Sequence, residues 1–222
     1  MAIFIGGNEI REVNYTHPGA RRAVTSIYVG NDYVWPKIEP LQLSYRSDNG
    51  EQFAGAVEIP WWAASIDLVL LGAGGGGAGG DGALGRSGRA GSPGQWRGFT
   101  IARTPGEPAT LDYTINAGGA GGAKEKSGGA GGATIVTFEG VTYTAPGGAG
   151  GSGYGSADSG IDPGNFTWNG TQWTPHPNVY YPYQGYGGKG GAGGSFGRAD
   201  PGSPGKTGLI GLYLFPSPEA QA

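Results

Sequence analysis

Seven short stretches carry the pattern of half-buried β-strands: Phe53–Ile59, Ala64–Leu71, Trp96–Ala102, Thr110–Asn116, Ala133–Phe138, Val141–Thr144 and Leu209–Phe215. Each is rich in β-branched or aromatic residues, and turn residues separate them, which predicts a mainly β protein with a β-sandwich-like frame. No segment repeats apolar residues at the spacing of a helix. Ahead of these strands, Ile3-Phe4-Ile5 and Glu9–Val13 flank Gly6-Gly7-Asn8, and Ile27–Val29 and Tyr33–Trp35 flank Gly30-Asn31-Asp32. Both read as β-hairpins around a turn. A module of roughly 36 residues buries little core alone. Residues 1–36 are therefore expected to dock on another protein or on the main domain. Residues 37–50 read as a linker, 51–216 as the main domain, and 217–222 as a disordered tail.

Between the strands lie glycine tracts, roughly 72–98, 117–132, 146–160 and 185–208. Glycine stands at every third position from Gly76 through Gly79, Gly82, Gly85, Gly88 and Gly91 to Gly94. The same spacing runs from Gly185 through Gly188, Gly191 and Gly194 to Gly197, and again over Gly202, Gly205 and Gly208. Period three is that of the polyproline-II helix, which has no internal hydrogen bonds. Its amides point outward, and bare glycines let a neighbouring chain come close enough to pair them. The expectation is a bundle of glycine-rich (polyglycine) helices in which backbone pairing replaces a side-chain core, since buried amides do not stay unpaired. A short intermolecular collagen-like triple helix and disorder of the tracts are the competing readings. Against collagen, the longest strict run contains Pro93 as its one proline, and collagen is far richer in it.

Composition sharpens this. Fifty glycines and 16 prolines in 222 residues far exceed the roughly 7% and 5% of ordinary domains. Six Trp, 12 Tyr and 7 Phe argue against simple disorder, which is poor in aromatics. The formal net charge is −3 with no basic block, so no nucleic-acid partner is expected. The chain has no cysteine, hence neither disulfides nor a thiolate metal site. The first residues lack the basic and apolar regions of a signal peptide. No apolar run approaches the ~18 residues of a membrane helix, so a soluble protein with no membrane insertion is expected.

The chemical motifs are weak. Gly72-Ala73-Gly74-Gly75-Gly76-Gly77 satisfies G-x-G-x-x-G after a strand, but more glycine follows where a phosphate-binding helix is needed. Gly205-Lys206-Thr207 lacks the first glycine of a phosphate loop, because Asp200 stands there. One calcium-roll start ends at Asp81, but such rolls bind calcium as stacked copies. His17 and His176 each neighbour a proline, with no second ligand at metal spacing. The protein is accordingly expected to be no enzyme, with no catalytic residue, no metal and no cofactor. Arg86 and Arg89 sit on one edge of a period-three helix, either for solubility or to meet an anionic cell-wall polymer.

The densest aromatic stretch is Ile161–Tyr186, with Phe166, Trp168, Trp173, Tyr180, Tyr181, Tyr183 and Tyr186. Asn169-Gly170 is placed as a hairpin turn between the two tryptophans. Two readings stand: the rings cap the glycine bundle as a small core, or they form a contact platform, since flat amphipathic rings suit sugars and proteins. Trp61-Trp62 reads as packing where a strand begins.

At residues 57–75, Val-Glu-Ile-Pro-Trp-Trp-Ala-Ala-Ser-Ile-Asp-Leu-Val-Leu-Leu-Gly-Ala-Gly-Gly, the chain resembles the glycine-rich domain of many phage tail and fibre proteins. The strand ending in Asn116-Ala117-Gly118-Gly119-Ala120-Gly121-Gly122, the Thr144-Ala145-Pro146-Gly147-Gly148 corner and the closing strand Leu209–Phe215 follow in the same order. Ile27-Tyr28-Val29-Gly30 and Val34-Trp35-Pro36 look like the start of minor tail proteins of long-tailed actinobacterial phages. The resemblance implies a virion tail-tip or fibre component, made in the host cytoplasm. Residues 1–36 would bind other tail proteins, the remainder would meet a host cell-surface polymer or protein, and a homotrimer is the expected assembly. In related adhesins polyglycine helices form a sandwich whose joining loops contact the bacterium. A tail subunit without receptor contact, and a secreted bacterial wall protein, are the alternatives.

Overall fold

The computed structural model describes residues 3–5, 8–10, 13–16, 23–29, 32–35, 38–47, 51–106, 108–155, 159–175, 183–195 and 197–216; up to residue 37 it describes backbone pairing alone. The proposed tail at 217–222, both histidines, Tyr180 and Tyr181 lie outside the described residues. The strands are β1 (Ile3–Ile5), β2 (Asn8–Ile10), β3 (Val13–Thr16), β4 (Ala23–Val29), β5 (Asp32–Trp35), β6 (Leu41–Arg46), β7 (Phe53–Ile59), β8 (Ala63–Leu71) and β9 (Ser87–Gly88). After them come β10 (Trp96–Ala102), β11 (Ala109–Ile115), β12 (Thr134–Phe138), β13 (Val141–Ala145), β14 (Tyr154–Gly155), β15 (Phe166–Trp168), β16 (Thr171–Trp173) and β17 (Leu209–Pro216). Among the described residues there is no helix.

Near the N-terminus β1 pairs β2 and β4 pairs β5, the two hairpins that the turn residues predict, and β3 adds a third strand beside β4. The main body has two antiparallel four-stranded sheets, in the orders β10-β8-β17-β6 and β13-β12-β11-β7. Neither sheet closes into a barrel. Alternation puts Ile66, Leu68 and Leu70 of β8 and Ile210, Leu212 and Leu214 of β17 into one core with Leu111, Tyr113 and Ile115 of β11 and Val136 and Phe138 of β12. Burying each such side chain contributes about 1.5–3 kcal/mol. Residues 41–46 differ from their expected place in a linker: they form β6, with Leu41 opposite Leu214 and Leu43 opposite Leu212. Leu43 and Tyr45 pack on the core.

Beyond the sandwich the glycine tracts lie side by side. Residues 72–81, continuing β8, are buried along their whole length. Their N–H groups face three neighbours in turn. Gly72, Gly75, Ala78 and Asp81 donate to the carbonyls of Gln95, Ser92, Arg89 and Arg86; Ala73, Gly76 and Gly79 donate to Gly132, Gly129 and Lys126; Gly74, Gly77 and Gly80 donate to Lys206, Ser203 and Asp200. Descending partner numbers make these three neighbours antiparallel. Three parallel tracts donate back. Gly119, Gly122 and Glu125 reach Gly74, Gly77 and Gly80; Gly188, Gly191 and Gly194 reach Gly75, Ala78 and Asp81; Gly148 and Gly151 reach Ala73 and Gly76. Six tracts thus surround one, and neighbours in the ring bond each other as well, for example Gly91 to Gly188 and Gly202 to Gly122. A glycine or alanine tract buries almost no apolar side chain, whereas an unpaired buried amide costs about 1–3 kcal/mol. Complete pairing is therefore what makes this arrangement possible.

The spacing of glycine follows from the same geometry. In the outer tract 86–95, an added Cβ at Gly88, Gly91 or Gly94 would strike the carbonyls of Ala78, Gly75 or Gly72. Every third residue there faces the central tract, and the residues between carry side chains such as Arg89 and Ser92. At the junction with the sandwich, the buried Thr134 hydroxyl donates to the Leu71 carbonyl at 2.6 Å.

Candidate functional site

The second face of the β10-β8-β17-β6 sheet is where the aromatic segment lies. Val69 and Leu71 of β8 point away from the sandwich core and are nonetheless fully buried. The hairpin β15–β16 helps cover them, turning at Asn169 and Gly170, both of positive φ. Two strand glycines seat its indoles: a Cβ at Gly98 would run into the Trp168 ring, and one at Gly211 into the Trp173 ring. The turn is tied down by polar contacts. Thr100 Oγ1 donates to Asp67 Oδ1 at 2.7 Å, and Asn169 Nδ2 donates to Asp67 Oδ1 at 2.9 Å and to Thr100 Oγ1 at 2.8 Å. Asp67 is 3% exposed, and these bonds satisfy its Oδ1. Trp96, Phe166 and Trp168 form a half-buried row with near-parallel rings, centroids 5.6 Å and 6.3 Å apart. The indole N–H groups of this row turn inward, from Trp96 to the Gly164 carbonyl and from Trp168 to Thr100.

The seven aromatics singled out in the sequence thus divide. Trp173 is buried, with an indole N–H that has no partner among the described residues. Phe166 and Trp168 are half-buried on the chain's own sheet. Tyr183 and Tyr186 lie elsewhere, on the flank of the bundle. They line a groove of about 520 Å³ together with Ser159, Lys189, Ser203 and Lys206. Their ring centroids are 4.9 Å apart at an interplanar angle of 44°. Tyr183 is 54% exposed. Burial, followed by its hydrogen bond to the Asp162 carboxylate, pushes the Tyr186 phenol far above its ordinary range. Asp162 also accepts the Gly164 N–H at 2.7 Å, so this carboxylate is held in place. Gln184, between the two tyrosines, is buried, and its Oε1 accepts the Thr207 hydroxyl at 2.8 Å.

The far end of the bundle carries the turns. Asp81 ends the central tract, and its carboxylate accepts the N–H groups of Ala83 and Leu84 and pairs with the Arg86 guanidinium at 2.8 Å. Those backbone bonds, with the Arg86 contact, hold Asp81 below the ordinary carboxylate range. Arg86 also lies over the Tyr154 ring, 4.5 Å from its centroid, and Arg89 Nε donates to the Tyr154 carbonyl at 3.1 Å. The two arginines do share an edge, as their spacing predicts, and it is the edge that holds β14. Leu84 is 70% exposed at the tip of this turn.

Among the described residues, no group of three or more His, Asp or Glu side chains stands close enough to hold a metal ion. What these surfaces present is aromatic rings, hydroxyls and the exposed cations Lys189 and Lys206. Lys189 was absent from the candidates read in the sequence, and Lys206 entered only through the failed phosphate-loop motif. The signal for Lys189 was its spacing, since Tyr186 and Lys189 stand three residues apart on one glycine tract.

A β-sandwich continued by a bundle of cross-bonded glycine tracts is the class of protein these features define. The chain belongs to the glycine-rich domain family, whose match spans residues 47–214 and so takes in all the tracts and every strand of the two sheets except β6, with β17 covered as far as Leu214. No curated protein matches the chain.

Proposed function

We propose that this protein is a non-catalytic part of a bacteriophage tail, a minor tail protein at the tail tip or fibre that presents a surface to the host cell. The observation that supports this most directly is the six-around-one glycine bundle rooted in the sandwich. Ten extended residues at ~3.1 Å each reach ~30 Å, and every N–H of the central tract is bonded. Such a body is stiff without disulfides or metals and holds its turns and flank groove at a fixed distance from the point of attachment. Contact surfaces of this kind lose little conformational entropy on binding. Residues 1–36 are the proposed attachment to neighbouring tail proteins, and the tail of the virion is the proposed location.

A second reading, a tail subunit that meets no receptor, is favoured by one observation. Trp168 and Trp173 seat on the chain's own strand glycines and leave little of their faces for a partner. In that case the contact surface shrinks to the tyrosine groove and the distal turns. The test is immunogold electron microscopy of virions from a phage encoding this chain, with antibody raised against the full protein. Gold at the tail end is expected; purified virions that carry no label would remove the assignment. Fluorescent full-length protein applied to a panel of actinobacterial cells then separates the two readings, because a subunit without receptor contact labels none of them.

A further inference from the structure

The flank groove joins features that the bundle itself does not require. Tyr186 and Lys189 stand three residues apart on one tract, and Tyr183 precedes it, on the other side of the positive-φ Gly185. The adjoining antiparallel tract is bonded to it from Lys206 N–H to the Tyr186 carbonyl and from Ser203 N–H to the Lys189 carbonyl, each pair at 2.8–2.9 Å. Lys206 therefore stands beside Tyr186, and Lys189 beside Ser203. Both lysines are exposed, and neither ammonium is in an ion pair among the described residues. The nearby carboxylate, Asp162, is occupied by the Tyr186 hydroxyl and the Gly164 N–H. In a chain of net charge −3, two ammonium groups against one carboxylate leave a local positive excess beside an aromatic and glycine floor.

Tyrosine faces and Pro204 suit the apolar face of a sugar ring, and separate ammonium groups suit separate single negative charges. A phosphate is less well served. Strong phosphate sites converge several free backbone N–H groups or an arginine fork on one anion. Here the N–H groups of Gly187, Gly188, Ser203 and Lys206 are all spent on Ile161, Gly75, Lys189 and Tyr186. The volume of about 520 Å³ lies in the range of small-ligand clefts, ~300–1,000 Å³.

We propose that this groove binds a linear acidic saccharide, one sugar ring stacking on Tyr183 and the carboxylates of the chain pairing with Lys189 and Lys206. The inference rests on the reading of the protein as a cell-contacting one and names the chemistry it contacts. The test is calorimetric titration of the full-length protein with trigalacturonate, with neutral maltotriose and inorganic phosphate as comparison probes. Saturable binding of trigalacturonate is expected, with maltotriose and phosphate weaker by about tenfold or more, the worth of one charge-assisted hydrogen bond. Lys189→Gln/Lys206→Gln should weaken trigalacturonate binding by at least that factor, and Tyr183→Ala should weaken both saccharides. All three side chains are exposed, so an unchanged Tm shows that the variants are folded. Absence of saturable binding, equal binding by the double lysine variant, or phosphate binding as tightly as trigalacturonate would each overturn the proposal. Wild-type protein that labels cells yet ignores trigalacturonate sinks the saccharide inference alone. Protein that binds trigalacturonate yet labels no cells sinks the contact function alone.

Discussion

A Cβ built at Gly76 would fall on the carbonyl oxygen of Ala120, whereas one at Gly106 meets nothing within 4 Å. Glycine to alanine ordinarily stabilises by about 0.4–1 kcal/mol through the unfolded chain where the backbone permits it. In the central tract the collision wins, because the obstructing atom is backbone held by its own hydrogen bonds on every side. Gly76→Ala should cost about 3 kcal/mol or more. Gly106→Ala should stay within about 0.5 kcal/mol of the parent or gain slightly. Urea unfolding of the two variants checks this, and similar midpoints for both would contradict close packing of the tracts. The period-three glycines were legible because one edge of each outer tract must be bare. Gly98 and Gly211 were not legible as seats for indoles: Trp168 is 70 positions after Gly98 in the sequence, and nothing local announces a ring. The place of Lys206 beside Tyr186 was hidden in the same way, since the two lie on different tracts.

Elements show the same division between local and distant causes. Asn169-Gly170 announces the β15–β16 turn by residue type, and both residues do adopt the positive φ that the type-I′ turn needs. β6 was read as a linker because its reason for being a strand, the pairing of Leu41 with Leu214, spans almost the whole main domain. The turn after the central tract is held in part by the Asp81 carboxylate, which makes it titratable, and Glu125 Oε1 accepts the Gly82 N–H beside it. Asp81 accepts the Ala83 and Leu84 N–H groups and pairs with Arg86, and its pKa is lowered. A lowered carboxylate pKa means that its stabilisation is present above the unfolded value of about 3.9 and is lost as pH falls through the folded value. The amide proton shifts of Ala83 and Leu84, followed against pH, should therefore move together with a midpoint below about 3.9. Arg86→Gln should raise that midpoint only part of the way, because the Ala83 backbone bond is the larger cause. A midpoint at or above the free aspartate value would show that the turn is not held in this manner.

At the scale of the molecule, the question is whether sandwich and bundle unfold as one body. β8, β11 and β13 run without a break into the tracts at 72, 116 and 146, and tracts lead back into β10, β12 and β17. Every strand of the two sheets apart from β6 and β7 is therefore continuous with the bundle. The sandwich supplies the apolar burial, and the bundle supplies almost none, so a bundle standing alone would have only hydrogen bonds worth about 0.5–1.5 kcal/mol each, net, to set against chain entropy of about 1–2 kcal/mol per residue. That balance does not close without help. Anchored at six points by a greasy sandwich, the tracts begin already aligned, and ordering them costs less. The expected consequence is cooperativity across the junction. Native-state amide exchange of Gly74–Gly80 should proceed at the same slow rate as that of Leu68–Leu71, with the same denaturant dependence. Leu68→Ala should then speed exchange in the tract as much as in the strand, although Leu68 belongs to the sandwich core and to no tract. Exchange of 74–80 through a separate, faster opening that ignores Leu68→Ala would mean a bundle with a stability of its own, and the source of that stability would have to lie in the amide lattice alone.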